Sequence, residues 1–371
     1  MSNPDVIVIG GGLVGSAVAY GLARRGLSVI VLDEGDVAYR ASRGNFGLVW
    51  VQSKGFGEPE YQRWTRLSSD RWPELAAQLE SETGINCGHE RPGGITICLT
   101  EDELAARRKL MAQLRVESGT TPFEYKILQH EALKELLPAI GPQVVGASYT
   151  PYDGHANPLY LLRALHAALA RHRGRYISNA RATGITPSTA NFTVTAGGQR
   201  YSAPKVVLAS GLGNKALASQ IGLNVPVNPV RGQIIVTERV QPVLAMPTLT
   251  IRQTVEGTIM IGESREETGF DDATSPTIVK QLAGRAVQTF PFLKDVRVVR
   301  TWAALRVMSP DGFPIYEQSR QYPGAFVCTC HSGVTLAAVH ATHYARYVAE
   351  GALPAHLQRF SSARFNVQAA A

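Results

Sequence analysis

A chain of 371 residues is longer than one hydrophobic core usually serves, so two domains are expected. Hydrophobic residues at 44% and charged residues at 18% exclude a disordered chain. The formal net charge of +7 is scattered, and its densest cluster, Arg171, Arg173 and Arg175, reads as a solvated helix end. That pattern argues against a nucleic-acid surface and favours anionic ligands.

The chain opens on Val6–Ile9, a run of β-branched residues that reads as a strand buried on both faces. A turn over 10–15 leads into a helix over 16–25 ended by Gly26, and a second buried strand, Val29–Leu32, stops at Asp33. Residues 61–84 read as a long amphipathic helix with Trp64, Leu67, Trp72, Leu75 and Leu79 on one face and Pro73 disturbing its middle. A strand is expected over 93–99, helices over 101–118 and 129–137, and a further helix over 158–172. That last helix has Asn157 as its cap and Pro158 in its first position. Strands then dominate, over 192–195, 206–209, 233–237, 258–262, 296–303 and 325–330. The last runs through His331, Ser332 and Gly333 into a helix over 334–349, and the tail after Phe360 reads as loosely held.

This order predicts an α/β fold. A Rossmann-like dinucleotide domain is assembled from both ends of the chain, and an α+β, sheet-rich second domain is inserted between its parts. The expected boundaries are 1–85, 151–220 and 311–371 for the first domain, and 86–150 with 221–310 for the second. Four cysteines are too few for a disulfide framework, and Cys328 and Cys330 have no histidine or cysteine pair at zinc spacing, so no metal is expected. The apolar stretch over 6–23 lacks a basic start and carries Gly10, Gly11, Gly12 and Gly15. It reads as neither a targeting segment nor a membrane span, and a cytoplasmic protein is expected.

The first turn carries the sharpest motif. Gly10, Gly12 and Gly15, with Leu13 and Val14 between, stand where a strand gives way to a helix. Gly10 allows the tight turn, Gly12 the approach of a pyrophosphate to the backbone, and Gly15 close helix–strand packing. The helix N-terminus then faces the phosphates. Asp33, with Glu34 beside it, ends the second strand where a carboxylate can bind the ribose hydroxyls. Three later features favour FAD over NAD. The loop holding Arg40, Ser42, Arg43, Gly44, Asn45 and Gly47 can pass beneath the pyrophosphate. The strand at 206–209 ends in Ser210 and Gly211. The turn through Ser332, Gly333, Val334 and Thr335 opens a helix whose N-terminus would stabilise a reduced flavin.

These residues carry a resemblance over nearly the whole chain. VIVIGGGLVG at 6–15, RASRGNFGLVW at 40–50, VVLASGLGN at 206–214, PVNPVRGQ at 226–233, WAALRVMSPDGFPI at 302–315 and CHSGVTLA at 330–337 resemble the D-amino-acid oxidase/glycine oxidase superfamily of FAD enzymes. Within it, the chain is most similar to the B subunits of bacterial opine oxidases. The hydrogen cyanide synthase C subunit and the D-hydroxyproline dehydrogenase β subunit are relatives. The resemblance implies an FAD domain of glutathione-reductase type. It implies oxidation of the C–N bond of an amino acid or opine-like secondary amine, by hydride transfer to flavin N5. It further implies a hetero-oligomer with a second subunit and, in some relatives, a small iron–sulfur subunit, which would place the protein at the inner membrane face through its partners. Two alternatives stay open. One is a D-amino-acid, D-hydroxyproline, glycine or sarcosine oxidase acting alone, and the other an FAD-bearing electron-transfer subunit without a substrate site.

Such chemistry needs a cation to orient a carboxylate more than it needs a strong acid or base. Arg306 matches the carboxylate-binding arginine of glycine-oxidase-like enzymes, and Arg252 could take a second carboxylate. His331 could assist amine deprotonation, although glycine oxidase has an arginine there, and His155 could border the site. Some relatives attach FAD through a cysteine near the Arg306 position. Here the segment is Ala304, Leu305, Arg306 and Val307, which implies non-covalent FAD.

Overall fold

The structure is a computed structural model that describes residues 3–35, 41–121 and 123–369, and side chains up to Phe365. Val6–Ile9 lies inside a six-stranded sheet. The order is Ile315–Gln318, Ala325–Thr329, Lys205–Leu208, Val6–Ile9, Val29–Leu32 and Arg175–Ile177. Val6 pairs in parallel with Lys205 on one side and Val29 on the other, so the strand has no free edge. All the neighbours are parallel except the edge strand Ile315–Gln318. Alternation along the strand divides two cores. Val6, Val8, Val29 and Val31 pack with Val18, Leu22, Val339 and Val348 on the helical side, while Ile7, Ile9, Ile30 and Leu32 pack with Ile185, Phe192 and Val194. Those last residues belong to an antiparallel meander, Ala182–Pro187, Phe192–Ala196 and Gln199–Ala203. A helical layer, a parallel sheet and a small antiparallel sheet make the Rossmann-like α/β arrangement.

A second set of strands is antiparallel, in the order Ile251–Gln253, Thr258–Ile261, Asn228–Arg239 and Val298–Met308. A three-stranded sheet, Gly94–Cys98, Gly146–Thr150 and Lys126–Gln129, joins it through Ile95, whose N–H donates to Pro247 and whose carbonyl accepts from Leu249. The two share one core, with Ile95, Ala147, Ile235, Ile259 and Phe290 among its buried members.

Several elements differ from the sequence reading. Pro73 lies inside the continuous helix Pro59–Thr83 without ending it. Its neighbour Trp72 is fully buried and its indole N–H donates to the Val334 carbonyl at 3.0 Å, and packing of this kind outweighs local propensity. The C-terminal helix is not one rod. Ala337–Val339 passes through a π-turn, His340–Tyr344, into Ala345–Glu350. The tail after Phe360 is tied down through Arg364, which pairs with Asp311 at 2.7 Å, while the Ser362 N–H donates to Glu317. The edge strands Arg175–Ile177 and Ile315–Gln318 and the helix Pro276–Thr289 are additions to that reading. Among the described residues, no helix is long and apolar enough to cross a membrane.

Candidate cofactor and substrate site

The helix Leu13–Ala23 begins at Gly12 without a side-chain cap of its own. Its cap comes from far along the chain, because Ser42 Oγ accepts the Leu13 N–H at 2.9 Å. Asp33, 6% exposed, accepts the Gly11 N–H at 2.6 Å and the Gly35 N–H at 2.9 Å, which fixes its carboxylate beside the turn. Gly10 has φ +103°, and a side chain there would lie 2.4 Å from the Ala209 carbonyl oxygen. The turn is therefore packed directly on the residues that precede Ser210 and Gly211. Ser210 itself donates to Asn214 at 2.7 Å, and Gly211 has φ +59°. Glu34 turns away, to Arg181 at 3.6 Å. Arg40 lies outside the described residues.

The loop behind Asp33 is held at several points. Asn45 Oδ1 accepts the Gly47 N–H at 2.7 Å, the Gly44 carbonyl accepts from Trp302 Nε1 at 3.3 Å, and the Gly47 carbonyl accepts from Ala156. Arg43 belongs to the same loop. The far end of the chain closes on the same place. A side chain at Gly333 would lie 3.3 Å from Val14, Trp50 N–H donates to Thr335 Oγ1 at 3.1 Å, and Thr335 Oγ1 donates to the Leu48 carbonyl. A helix N-terminus, a fixed carboxylate at a strand end and a glycine turn too close-packed for side chains make a donor set that fits a pyrophosphate and the ribose diol next to it.

At the Ser332 end the chain collects charge. Lys54 Nζ donates to His331 Nε2 at 3.1 Å and to Ser332 Oγ at 2.9 Å, and Tyr61 donates to the same hydroxyl at 3.2 Å. Loss of solvent and the positive charges of Lys54, Arg306 and Arg265 hold His331 well below the usual histidine range, so it faces Lys54 as a neutral acceptor. Shielding from solvent also lowers the Lys54 ammonium to about 8, with Glu263 pulling it back up. Arg306, half-buried on Val298–Met308, opposes Val230 and is anchored through Nη1 to the carbonyls of Ser264 at 2.7 Å and Arg231 at 3.3 Å. Glu263, whose charge acts on both Lys54 and Arg306, has φ +80°, unusual for a residue with a side chain.

Beneath Lys54 is a buried polar network. Asp153 is 0% exposed and accepts the N–H groups of Val51 and Gln52 and the Gln52 side-chain amide. The Gln52 carbonyl in turn accepts from Arg107, Thr96 and Ser148. Arg107 also reaches Ser53 at 2.6 Å, where the backbone turns left-handed with φ +74°. Burial raises the Asp153 carboxyl to about 7 against the three donors that favour its ionised form. The network sets the path of residues 51–54 and so the position of Lys54. Asp153→Ala leaves the Val51 and Gln52 N–H groups buried without an acceptor and the Gln52 side-chain amide with the Gly94 carbonyl alone, at roughly 1–3 kcal/mol for each stranded hydrogen. We expect unfolding stability to fall by about 3 kcal/mol or more in a denaturant titration, with Asp153→Asn losing less. An unchanged midpoint would contradict this account.

Of the residues chosen from the sequence for substrate contact, Arg306 and His331 come together here. Arg252 does not join them. It is 3% exposed, with Nε donating to the Phe46 carbonyl, Nη1 3.5 Å from His155 Nδ1 and Nη2 against Met260. Its guanidinium secures the loop behind Asp33. His155 stays beside it, pushed down to about 3 by burial and by Arg252, and its Nε2 lies 3.3 Å from Glu90. Lys54, Glu263, Arg107 and Asp153 were not singled out by the sequence. The positive φ values at Ser53 and Glu263 have no sequence signature, and Arg107 reads as one more charge on an amphipathic helix.

Comparison with known proteins agrees with this geometry. The family model described as FAD dependent oxidoreductase (DAO) matches residues 5–347. The chain is 43% identical over 370 residues to the opine oxidase B subunits of Agrobacterium tumefaciens (strain Ach5) and of Rhizobium meliloti, covering 100% of this chain and of each of those. It is 27% identical to Hydrogen cyanide synthase subunit HcnC of Pseudomonas aeruginosa, covering 99% of this chain and 97% of that one. The crystal structure of glycine oxidase from Geobacillus kaustophilus superposes with a TM-score of 0.89 at 25% identity, covering 97% of this chain and 98% of that one.

Proposed function

The chain belongs to the DAO family of FAD-dependent oxidoreductases, whose opine oxidase and glycine oxidase members act on amine C–N bonds, and from that membership we propose that it oxidises an opine-like secondary amine as the catalytic subunit of a hetero-oligomeric dehydrogenase. The observation that carries the reading is the placement of Arg306, a guanidinium with no carboxylate within ion-pair distance among the described residues, in the same cluster as His331 and Ser332 at the end of the cofactor turn. When bound, FAD would supply the two-electron acceptor for oxidation of the C–N bond. Gly10, Gly12, Leu13, Val14 and Gly15 would hold the pyrophosphate and Asp33 the ribose. Ser42, Arg43, Gly44, Asn45 and Gly47, with Ser210 and Gly211, would hold the cofactor further along, and Ser332, Gly333, Val334 and Thr335 would serve its flavin end.

Arg306 holds the substrate carboxylate, and the sheet behind it keeps the guanidinium in one orientation. Neutral His331 accepts hydrogen bonds at the same end and adds no positive charge there. The segment Ala304, Leu305, Arg306 and Val307 carries no thiol, which supports non-covalent FAD. We assign residues 1–85, 151–220 and 311–371 to the FAD domain, and 86–150 with 221–310 to the substrate domain. The relatives at 43% identity are by name parts of a larger enzyme, which supports electron transfer to a second subunit. The isolated chain, reduced by substrate, is then expected to react slowly with oxygen and rapidly with an artificial electron-acceptor dye. Fast turnover with oxygen alone would contradict the hetero-oligomeric part of the proposal.

A further inference from the structure

Resting on this reading of the site, we propose that Lys54 is the residue that binds the second carboxylate of the opine-like amine, opposite the one held by Arg306. Arg252 was the candidate for that task, but its guanidinium is committed to Phe46, Met260 and His155. Lys54 is placed differently. It is half-buried, two of its ammonium hydrogens are directed at His331 and Ser332, and no carboxylate lies within ion-pair distance among the described residues. The third hydrogen is available to a ligand. Arg306 is in the same condition, with only Nη1 engaged by backbone carbonyls.

The charge around the site points the same way. Lys54, Arg306 and Arg265 face His331, with Glu263 as the opposing acid. Nearby charges are already offset. Arg231 pairs with Glu266 at 2.8 Å, and Arg107 reaches Asp153 through Gln52. Burial pushes the Cys330 thiol up to about 12, so it carries no charge here. Three cations against one acid suit a dianion better than a monoanion. The two cations are also held by separate parts of the fold, Lys54 on the loop fixed by Asp153 and Arg306 on the sheet. Two separately anchored cations can set the distance between two carboxylates, which a single cation cannot do.

The charge on Lys54 gives the assignment a pH signature. Facing it are Glu263, Cys330, Arg306, Asp153 and His331, and loss of solvent lowers its ammonium to about 8. As pH rises through that value, kcat/KM for a dicarboxylate amine is expected to fall relative to that for a monocarboxylate amine. In Lys54→Arg, whose guanidinium stays charged, this difference disappears while dicarboxylate binding is kept.

The decisive experiment measures binding without turnover. Thiodiacetate and (methylthio)acetate replace the amine by a thioether, so no C–N bond is present to be oxidised. Calorimetric titration of the FAD-loaded chain should show tighter binding of thiodiacetate. Lys54→Met should weaken thiodiacetate by roughly 10- to 100-fold and (methylthio)acetate by less than about threefold. Lys54→Arg should restore most of the loss, and all three proteins should melt at similar temperatures. Equal weakening of both ligands would overturn the proposal, because Lys54 would then serve the same carboxylate as Arg306 or the cofactor. No weakening of either would also overturn it. Failure of the functional reading looks different: wild-type protein would bind neither thioether, and no amine would reduce its flavin.

Discussion

Replacing Arg306 with Leu is expected to lower kcat/KM for carboxylate-bearing amines by about 10²- to 10³-fold, the usual cost of removing one partner of a shielded charge pair. Most of the loss should appear in KM, because the guanidinium holds a group that does not itself react. The side chain is well placed for this. Its strand pairs along the length of Asn228–Arg239, and Nη1 is fixed by two carbonyls. Gly232 lies under the guanidinium, and a side chain there would sit 2.5 Å from the Arg306 Cζ atom. Arg306→Lys should recover only part of the activity, since an ammonium cannot make the paired contacts of a planar fork. Reduction of the flavin by an amine without a carboxylate should be unaffected by either change. If Arg306→Leu left kcat/KM for carboxylate-bearing amines intact, Arg306 would not be the residue that holds the substrate carboxylate.

Asp33→Ala is expected to weaken FAD binding by about 10²-fold or more, since hydrogen bonds to a charged acceptor contribute roughly 1.5–3 kcal/mol each. The carboxylate is held beside the turn by Gly11 and Gly35, and the substitution also strands those two N–H groups. Asp33→Glu separates the effects, because it keeps the charge while moving it by one methylene. Equilibrium dialysis of apoprotein against FAD measures the loss, with the apoprotein melting temperature as control. An unchanged dissociation constant would remove Asp33 from the cofactor site.

The dinucleotide end of the molecule was legible because its physics is local. Glycines spaced for a turn, an apolar run on either side and an acid at the second strand end require no knowledge of the rest of the chain. The Ser332 turn was also legible as strand, turn and helix, although the π-turn after it, where the Ala341 carbonyl packs closely on Gly21 of the first helix, left no mark in the sequence. The substrate end was legible only in part. Arg306 stood out through a resemblance, and Lys54 lay in a polar loop with nothing to mark it. Its placement comes from Asp153, 99 positions further on, and from Arg107 on a separate helix. Contacts between such distant residues leave no periodic trace in a single sequence. The surroundings of Arg252 were hidden for a related reason, because its guanidinium is engaged by Phe46 and Met260, on other elements.

Anaerobic titration of the purified chain with N-carboxyalkyl amino acids tests the central claim most directly. The expected result is a yellow protein that releases its FAD on acid denaturation. Its visible flavin absorbance should bleach on adding such an amine, with an imine or its hydrolysis products formed in equal amount. A colourless chain that binds a nicotinamide dinucleotide, or a flavin that no amine in the panel can bleach, would contradict that claim.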